Sequence, residues 1–165
     1  MSVPAVRRIV VGVDGSVESV AALRWACREA ALRGAEVHAV HVREARCHSL
    51  PSYAAPAQSS QQGCDDFDVD ELAGKIKAEF APDVEVKGEV VDGLAARILL
   101  ELCAGADMLV LGTASDTAGA PRPAGPVIRA CLRRAACPVV VISAEQETAH
   151  HDEDAGSQVM VPAGV

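Results

Sequence analysis

Rings are scarce in this sequence: of its 165 residues only Trp25, Tyr53, Phe67 and Phe80 are aromatic, although half are hydrophobic. The core must therefore be aliphatic, built from Val, Leu, Ile and Ala. No apolar run reaches the roughly 18 to 20 residues of a membrane span, so a spanning helix is excluded and no membrane partner is expected. The long apolar stretch of a signal peptide is missing too, because Arg7 and Arg8 lead directly into a short apolar run. A soluble, cytoplasmic protein is the expectation. Among the six cysteines (Cys27, Cys47, Cys64, Cys103, Cys131, Cys137) there is no Cys-x-x-Cys pair. Four of them fall in or beside apolar patterns, where a thiol acts as a small hydrophobe, and a disulfide framework is not expected.

A basic surplus is also absent, since the formal charge is −8. The acids are unevenly placed: Asp65, Asp66, Asp68, Asp70 and Glu71 form one cluster, and Glu145, Glu147, Asp152, Glu153 and Asp154 another. Setting those ten aside leaves 13 acids against 15 bases, about +2 for the rest. Acid clusters of this kind read as solvated surface. Nucleic-acid binding calls for a basic face, and none is visible.

At this length one domain is expected, large enough to bury a core. Arg7 to Val13 reads as a strand buried on both faces. Asp14-Gly15-Ser16 turns the chain, with Ser16 as N-cap of a helix from Val17 to Arg33 that Gly34 stops. Glu36 to Val42 is a second strand, and residues 43–66 form a long, mobile loop. A helix from Phe67 to Phe80 follows, weakened by about 1 kcal/mol by Gly74. Val84 to Val90 alternates apolar with charged residues, and one wet face suggests an edge strand or one side of the sheet left uncovered. Leu94 to Cys103 is a helix, Asp107 to Leu111 the fourth strand, and Ile128, Cys131, Leu132 and Ala135 stripe a fourth helix. Pro138 to Ser143 is the fifth strand, and residues 144–165 are an acidic, disordered tail. Strands alternating with helices predict an α/β fold, an open, mostly parallel five-stranded sheet covered on both faces. Ligands of such sheets bind at the carboxyl ends of the strands, where Asp14 and Gly112 are expected just past theirs.

Other constellations are weaker. His38 and His41 stand three apart on a strand and so face opposite ways, and Cys47-His48 is a poor chelating pair, so no metal site is expected. A phosphoacceptor role for Asp14 lacks the partner acids and the lysine after the last strand, where Ser143 and Ala144 stand. Arg129 and Arg133 share a helix face, which reads as an exposed charged surface. No nucleophile–base pair is readable, so no catalytic residue is assigned and no enzyme is expected.

The runs Ile9-Val-Val-Gly-Val-Asp14-Gly-Ser16, Glu36-Val-His-Ala-Val-His41-Val42, Asp107-Met-Leu-Val-Leu-Gly112 and Cys137-Pro-Val-Val-Val141, in this order, resemble the universal stress protein family over about residues 5–143. The resemblance implies a Rossmann-like sheet of order 3-2-1-4-5, a homodimer, and a role in stress or dormancy rather than housekeeping catalysis. Many members bind ATP through Gly-x2-Gly-x9-Gly-[Ser/Thr]. Here the spacing is kept by Gly112, Ser115 and Gly125, but Pro126 stands at the hydroxyl position, followed by Val127. By the same resemblance Asp14 and Val42 fall where adenine and ribose are held. A serine at 126 would offer a hydroxyl and an N–H at a helix start, and proline offers neither. Two such bonds to a charged group are together worth about 3 to 6 kcal/mol. The expectation is a regulatory protein with a degenerate phosphate loop, requiring no cofactor and binding ATP weakly if at all. It would act through contact with an unknown protein partner and as a homodimer formed by the fifth strand. Two alternatives stay open: an ATP/AMP-binding switch of the same fold, and a cysteine-based redox sensor.

Overall fold

Valine and isoleucine stiffen the backbone at χ1 and favour extended chain, and the central strand shows the result. In the computed structural model, which describes residues 7–44, 68–114 and 124–144, β1 (Arg8–Gly12) holds Ile9, Val10 and Val11 wholly buried. It is followed by α1 (Val17–Arg33), β2 (Glu36–Arg43), α2 (Val69–Phe80), β3 (Val86–Asp92), α3 (Ala95–Leu102), β4 (Met108–Thr113), α4 (Pro126–Arg134) and β5 (Val139–Ser143). The five strands form one sheet in the order β3-β2-β1-β4-β5, and every pair is parallel. The expected order 3-2-1-4-5 and open α/β architecture are both present.

The two-residue period of a strand divides the core into two layers. Ile9, Val11, Val37, Ala39 and Val110 pack with the inner faces of α1 and α2. Val10, Val40, Leu109 and Leu111 point the other way, onto Leu99 and Cys103, Ile128 and Cys131 from the α3–α4 side. Each such aliphatic side chain contributes about 1.5 to 3 kcal/mol by leaving water. Phe80 serves as a platform for the guanidinium groups of Arg24 and Arg28, 5.3 and 5.0 Å from its ring centre.

The first helix obeys its local signals: Ser16 Oγ accepts the Ser19 N–H, and Gly34 adopts φ 62° to end it. Elsewhere the boundaries move by one or two residues. The second helix begins at Val69 because Asp68 caps it, its carboxylate accepting the Glu71 N–H at 3.0 Å. Asp70 and Glu71 then stand in its first turn, so this part of the acidic cluster complements a helix start as well as meeting solvent. The third strand runs from Val86 to Asp92, two residues later than the alternation of Val84 to Val90 suggests, because Val84 is buried in the turn before it. It is the expected wet edge. Most consequential for the site, β4 continues to Thr113, so Gly112 lies inside the strand, paired with Ile142, and not in the loop beyond it.

The second strand extends to Arg43, one residue into the expected loop. Beyond Glu44 that loop, nearly all of the acidic tail, and Ser115 with Pro121 and Pro123 lie outside the described residues. Among the described residues no helix is long and apolar enough to cross a membrane.

Candidate functional site

The chain winds outward from β1 to β3, then returns to the other side of β1 for β4 and β5. The connections after β1 and β4 therefore leave in opposite directions and open a crevice between them at the carboxyl end of the sheet. A cavity of about 250 Å³ lies there, lined by residues of β1, β2, β4 and the starts of α1, α3 and α4. Its floor is apolar, with Val40, Val42, Leu99, Leu111 and Ile128, and its polar rim is Asp14, Ser16 and Ser19. Asp14, Val42, Gly112, Gly125, Pro126 and Val127, singled out from sequence, all line this one cavity. Of the predicted set only Ser115 is outside the described residues.

The β1–α1 corner is closely bonded. Asp14 Oδ1 accepts the Ser16 N–H at 3.0 Å and the Ser16 hydroxyl at 2.5 Å. Asp14 donates its own N–H to Ser19 Oγ at 3.3 Å, and the Ser19 hydroxyl is donated to Ser16 O at 2.9 Å. Partial burial pulls the Asp14 carboxyl upward, but the hydrogen bonds from Ser16 and Ser19 outweigh it and hold the group below its ordinary value. Asp14 is thus a carboxylate at neutral pH. His41 pins the corner from β2, its Nδ1 lying 2.8 Å from Val13 O.

The β4–α4 corner is bare by comparison. Gly125 is the N-cap of α4 and makes no side-chain cap bond, and Pro126 occupies the first turn. Among the described residues a Cβ added at Gly125 would meet nothing within 4 Å. Gly112 is the opposite case. A Cβ there would come within 2.4 Å of the Glu18 backbone and 2.7 Å of Ser19 N, so this glycine lets α1 lie against β4. It lines the cavity, and its missing side chain is also a packing requirement.

Sequence reasoning missed several contributors. Ser19, only 4% exposed, was lost inside a helical pattern, although its place three residues after the cap was a signal. His41 was weighed only as a metal ligand. Glu44, whose carboxylate accepts the Ala95 N–H at 3.0 Å and so caps α3 across 51 residues, carries no local signal. His38 pairs with Glu89 at 2.6 Å on the strand edge, away from the cavity lining.

Among the described residues the thiols offer little reactivity. Cys27, Cys103 and Cys131 are wholly buried. Burial pushes Cys27 up to about 11, and burial together with neighbouring Cys103 pushes Cys137 to about 11. Thiols in that range are protonated at neutral pH. Among the described residues no three His, Cys, Asp or Glu side chains are grouped to hold a metal ion.

A model of the universal stress protein family matches residues 5–143. A universal stress protein of Mycobacterium tuberculosis H37Rv is 33% identical over 141 residues, covering 83% of this chain and 48% of its own length. The chain thus spans about half the length of the curated relatives it matches. Among solved structures, a universal stress protein in complex with cAMP is 26% identical with a TM-score of 0.58, covering 85% of this chain and 98% of its own. One from Archaeoglobus fulgidus in complex with dAMP shares the fold at 22% identity, with a TM-score of 0.57 and coverage of 84% and 98%.

Proposed function

The chain belongs to the universal stress protein family, and from that premise we propose that it is a non-enzymatic stress-response regulator acting through dimerisation and partner contact, with weak or absent ATP binding. The observation that carries the reading is the start of α4, where Pro126 follows an uncapped Gly125. A phosphate at that point finds neither the hydroxyl nor the amide that a serine would supply. The loss of two charge-assisted bonds, about 3 to 6 kcal/mol, weakens affinity about a hundred-fold or more. Calorimetry with Mg-ATP tests this. The expected dissociation constant is no tighter than about the high-micromolar range, and a low-micromolar value overturns it. Mass spectrometry of natively purified protein gives an independent check, with no stoichiometric ATP expected.

The dimer reading rests on the contrast between the sheet edges. The β3 edge is laced with charge: Arg43 meets Asp92 at 2.9 Å, and Lys87 meets Glu36 at 3.4 Å. The β5 edge is Val-Val-Val-Ile-Ser, with Val139, Val140 and Val141 half-buried. An apolar edge with unpaired amides and carbonyls invites pairing, and a second copy about a two-fold axis would cover it. Analytical ultracentrifugation should find a dimer at tens of micromolar and a shift towards monomer in Val140→Lys. A wild type monomeric at that concentration removes this part of the proposal.

The second reading, an AMP- or ATP-binding switch, draws on one observation: a relative 26% identical to this chain was solved with cAMP. A cavity with Asp14 on its rim and Val42 in its floor is compatible with the nucleoside end of such a ligand.

A further inference from the structure

Three cysteines converge at the amino ends of β4 and β5, the opposite end of the sheet from the cavity. Cys103 is the C-cap of α3, Cys131 lies in α4, and Cys137 stands in the turn between α4 and β5. The backbone holds the first and the last of them to neighbouring points at the entrance of β4. Cys103 O accepts the Ala106 N–H at 3.1 Å, and Pro138 O, next to Cys137, accepts the Leu109 N–H at 2.9 Å. Pro138 also restricts Cys137 to extended backbone. Cys103 and Cys131 are wholly buried in the layer on the α3–α4 side, and Cys137 packs against the same cluster while staying partly exposed. None of the three is in the described lining of the cavity.

Two of these thiols touch. The Cys103 S–H is donated to Leu100 O at 3.2 Å, which leaves its sulfur free to accept, and the Cys137 thiol bonds that sulfur. Cys131 and Asp107 act on Cys137 through space. Burial first, then Cys103, pushes Cys137 up to about 11, which makes it a weak nucleophile at neutral pH and its oxidation slow. The bond, once made, is a separate matter. A dithiol is strongly oxidising when its reduced form is stabilised as a thiolate. Here the reduced form has no such support, and the equilibrium leans towards the disulfide.

We infer that Cys103 and Cys137 form a dithiol site that a peroxide closes into an intramolecular disulfide, tying the end of α3 to the start of β5. Cys137, the partly exposed member, reacts first. Its sulfur attacks one oxygen of hydrogen peroxide, the O–O bond breaks, and the leaving hydroxide takes the thiol proton as water, giving a sulfenic acid. The Cys103 sulfur then attacks the Cys137 sulfur, the S–O bond breaks, and the hydroxyl leaves with the Cys103 proton as a second water. The two thiols lose two electrons and two protons, and one hydrogen peroxide is reduced to two waters. The closed loop contains β4 and α4, so the bond restricts the unfolded chain over a long span.

Peptide mapping of the full chain tests this. Reduced protein is held for hours in millimolar hydrogen peroxide, its remaining thiols are alkylated on unfolding, and it is digested without reductant. Trypsin cuts after Arg97, Arg129, Arg133 and Arg134, which puts the three cysteines on separate peptides. A Cys103–Cys137 cross-link should be the main oxidised product by mass spectrometry, and the oxidised protein should melt at least about 5 °C above the reduced one. Both effects should vanish in Cys137→Ser, a change at a partly exposed position, and in Cys103→Ala, and both should persist in Cys131→Ala. Recovery of the two thiols unlinked overturns the inference. So does Cys137 found as a sulfinic acid or joined to any other cysteine, of this copy or a second one, and so does a gain in Tm that survives in Cys137→Ser.

Discussion

The two helix starts on either side of the switch point are built in opposite ways. After β1, a carboxylate, two hydroxyls and four backbone groups bond one another over six residues, and α1 begins with a side-chain cap. After β4, α4 begins on glycine and proline with no cap at all. Both arrangements start a helix, since proline at N1 needs no N–H and its ring presets φ. What differs is what remains for a ligand. The first corner presents an ionised acceptor held in place, whereas the second, among the described residues, presents no side-chain cap and a proline without an N–H. Helix initiation and anion binding thus make separable demands on the same residues, and the proposed reading is of a pocket with a nucleoside end and a weakened phosphate end on an unchanged architecture.

The glycines give the largest test of that contrast. At Gly112 a methyl group would strike the backbone of α1, which cannot yield as a flexible side-chain tip would. Gly112→Ala should destabilise the fold by about 3 kcal/mol, at the upper end of overpacking costs. Gly125→Ala meets open space at φ −62°, so stability should stay within about 0.5 kcal/mol of wild type. Urea denaturation of the two variants compares them directly, and equal costs would mean that both corners are packed alike.

A smaller effect should come from rebuilding the bare corner. Pro126→Ser with Ser115→Gly restores an amide and a hydroxyl at the start of α4 and the glycine spacing before it. Affinity for Mg-ATP should rise at least about ten-fold, about 1.4 kcal/mol, by calorimetry. No gain would place the obstacle elsewhere, in the charge of the lining or in the prolines at 121 and 123.

Next comes the cap itself. Ser16→Ala removes the acceptor for Ser19 N–H and the hydroxyl donor to Asp14. Loss of an N-cap serine costs about 1 kcal/mol. The same reading predicts a weaker cavity rim, visible as faster amide exchange at Ser19 in the variant than in wild type.

Much of this was legible in the residues. The aliphatic runs Ile9 to Val11 and Leu109 to Leu111 stated the buried strands, and Asp14-Gly15-Ser16 and Gly34 stated the ends of α1, because turn and cap chemistry is local. The cavity lining was also readable through the spacing of Gly112, Gly125 and Pro126. What stayed hidden was set by contacts distant in sequence. The extension of β4 through Gly112 depends on pairing with β5, and the reason for a glycine there is a helix nearly a hundred residues earlier. Glu44 on Ala95 and His41 on Val13 are of the same kind. Periodicity describes a segment's own faces, and it is silent on which backbone will press against them.

The smallest expected effect is a pH dependence confined to the bonded corner. Asp14 has its folded-state carboxyl held below the ordinary value, with burial opposing and the hydrogen bonds of Ser16 and Ser19 prevailing. A carboxyl lowered on folding contributes stability that is fully present above its unfolded pKa, near 3.8, and is lost as pH falls through the lower folded value. Asp14→Asn removes the titration while leaving the turn geometry close to intact. The stability difference between wild type and variant should therefore be constant from pH 7 down to about 5 and shrink only below about pH 4. Among the described residues no corresponding carboxylate stands at the start of α4, so Pro126→Ser should show a stability difference from wild type that does not change over the same range. A difference for Asp14→Asn that persisted undiminished to pH 2 would mean that the carboxylate's charge is not what holds the β1–α1 corner, and the contrast between the two helix starts would then rest on shape alone.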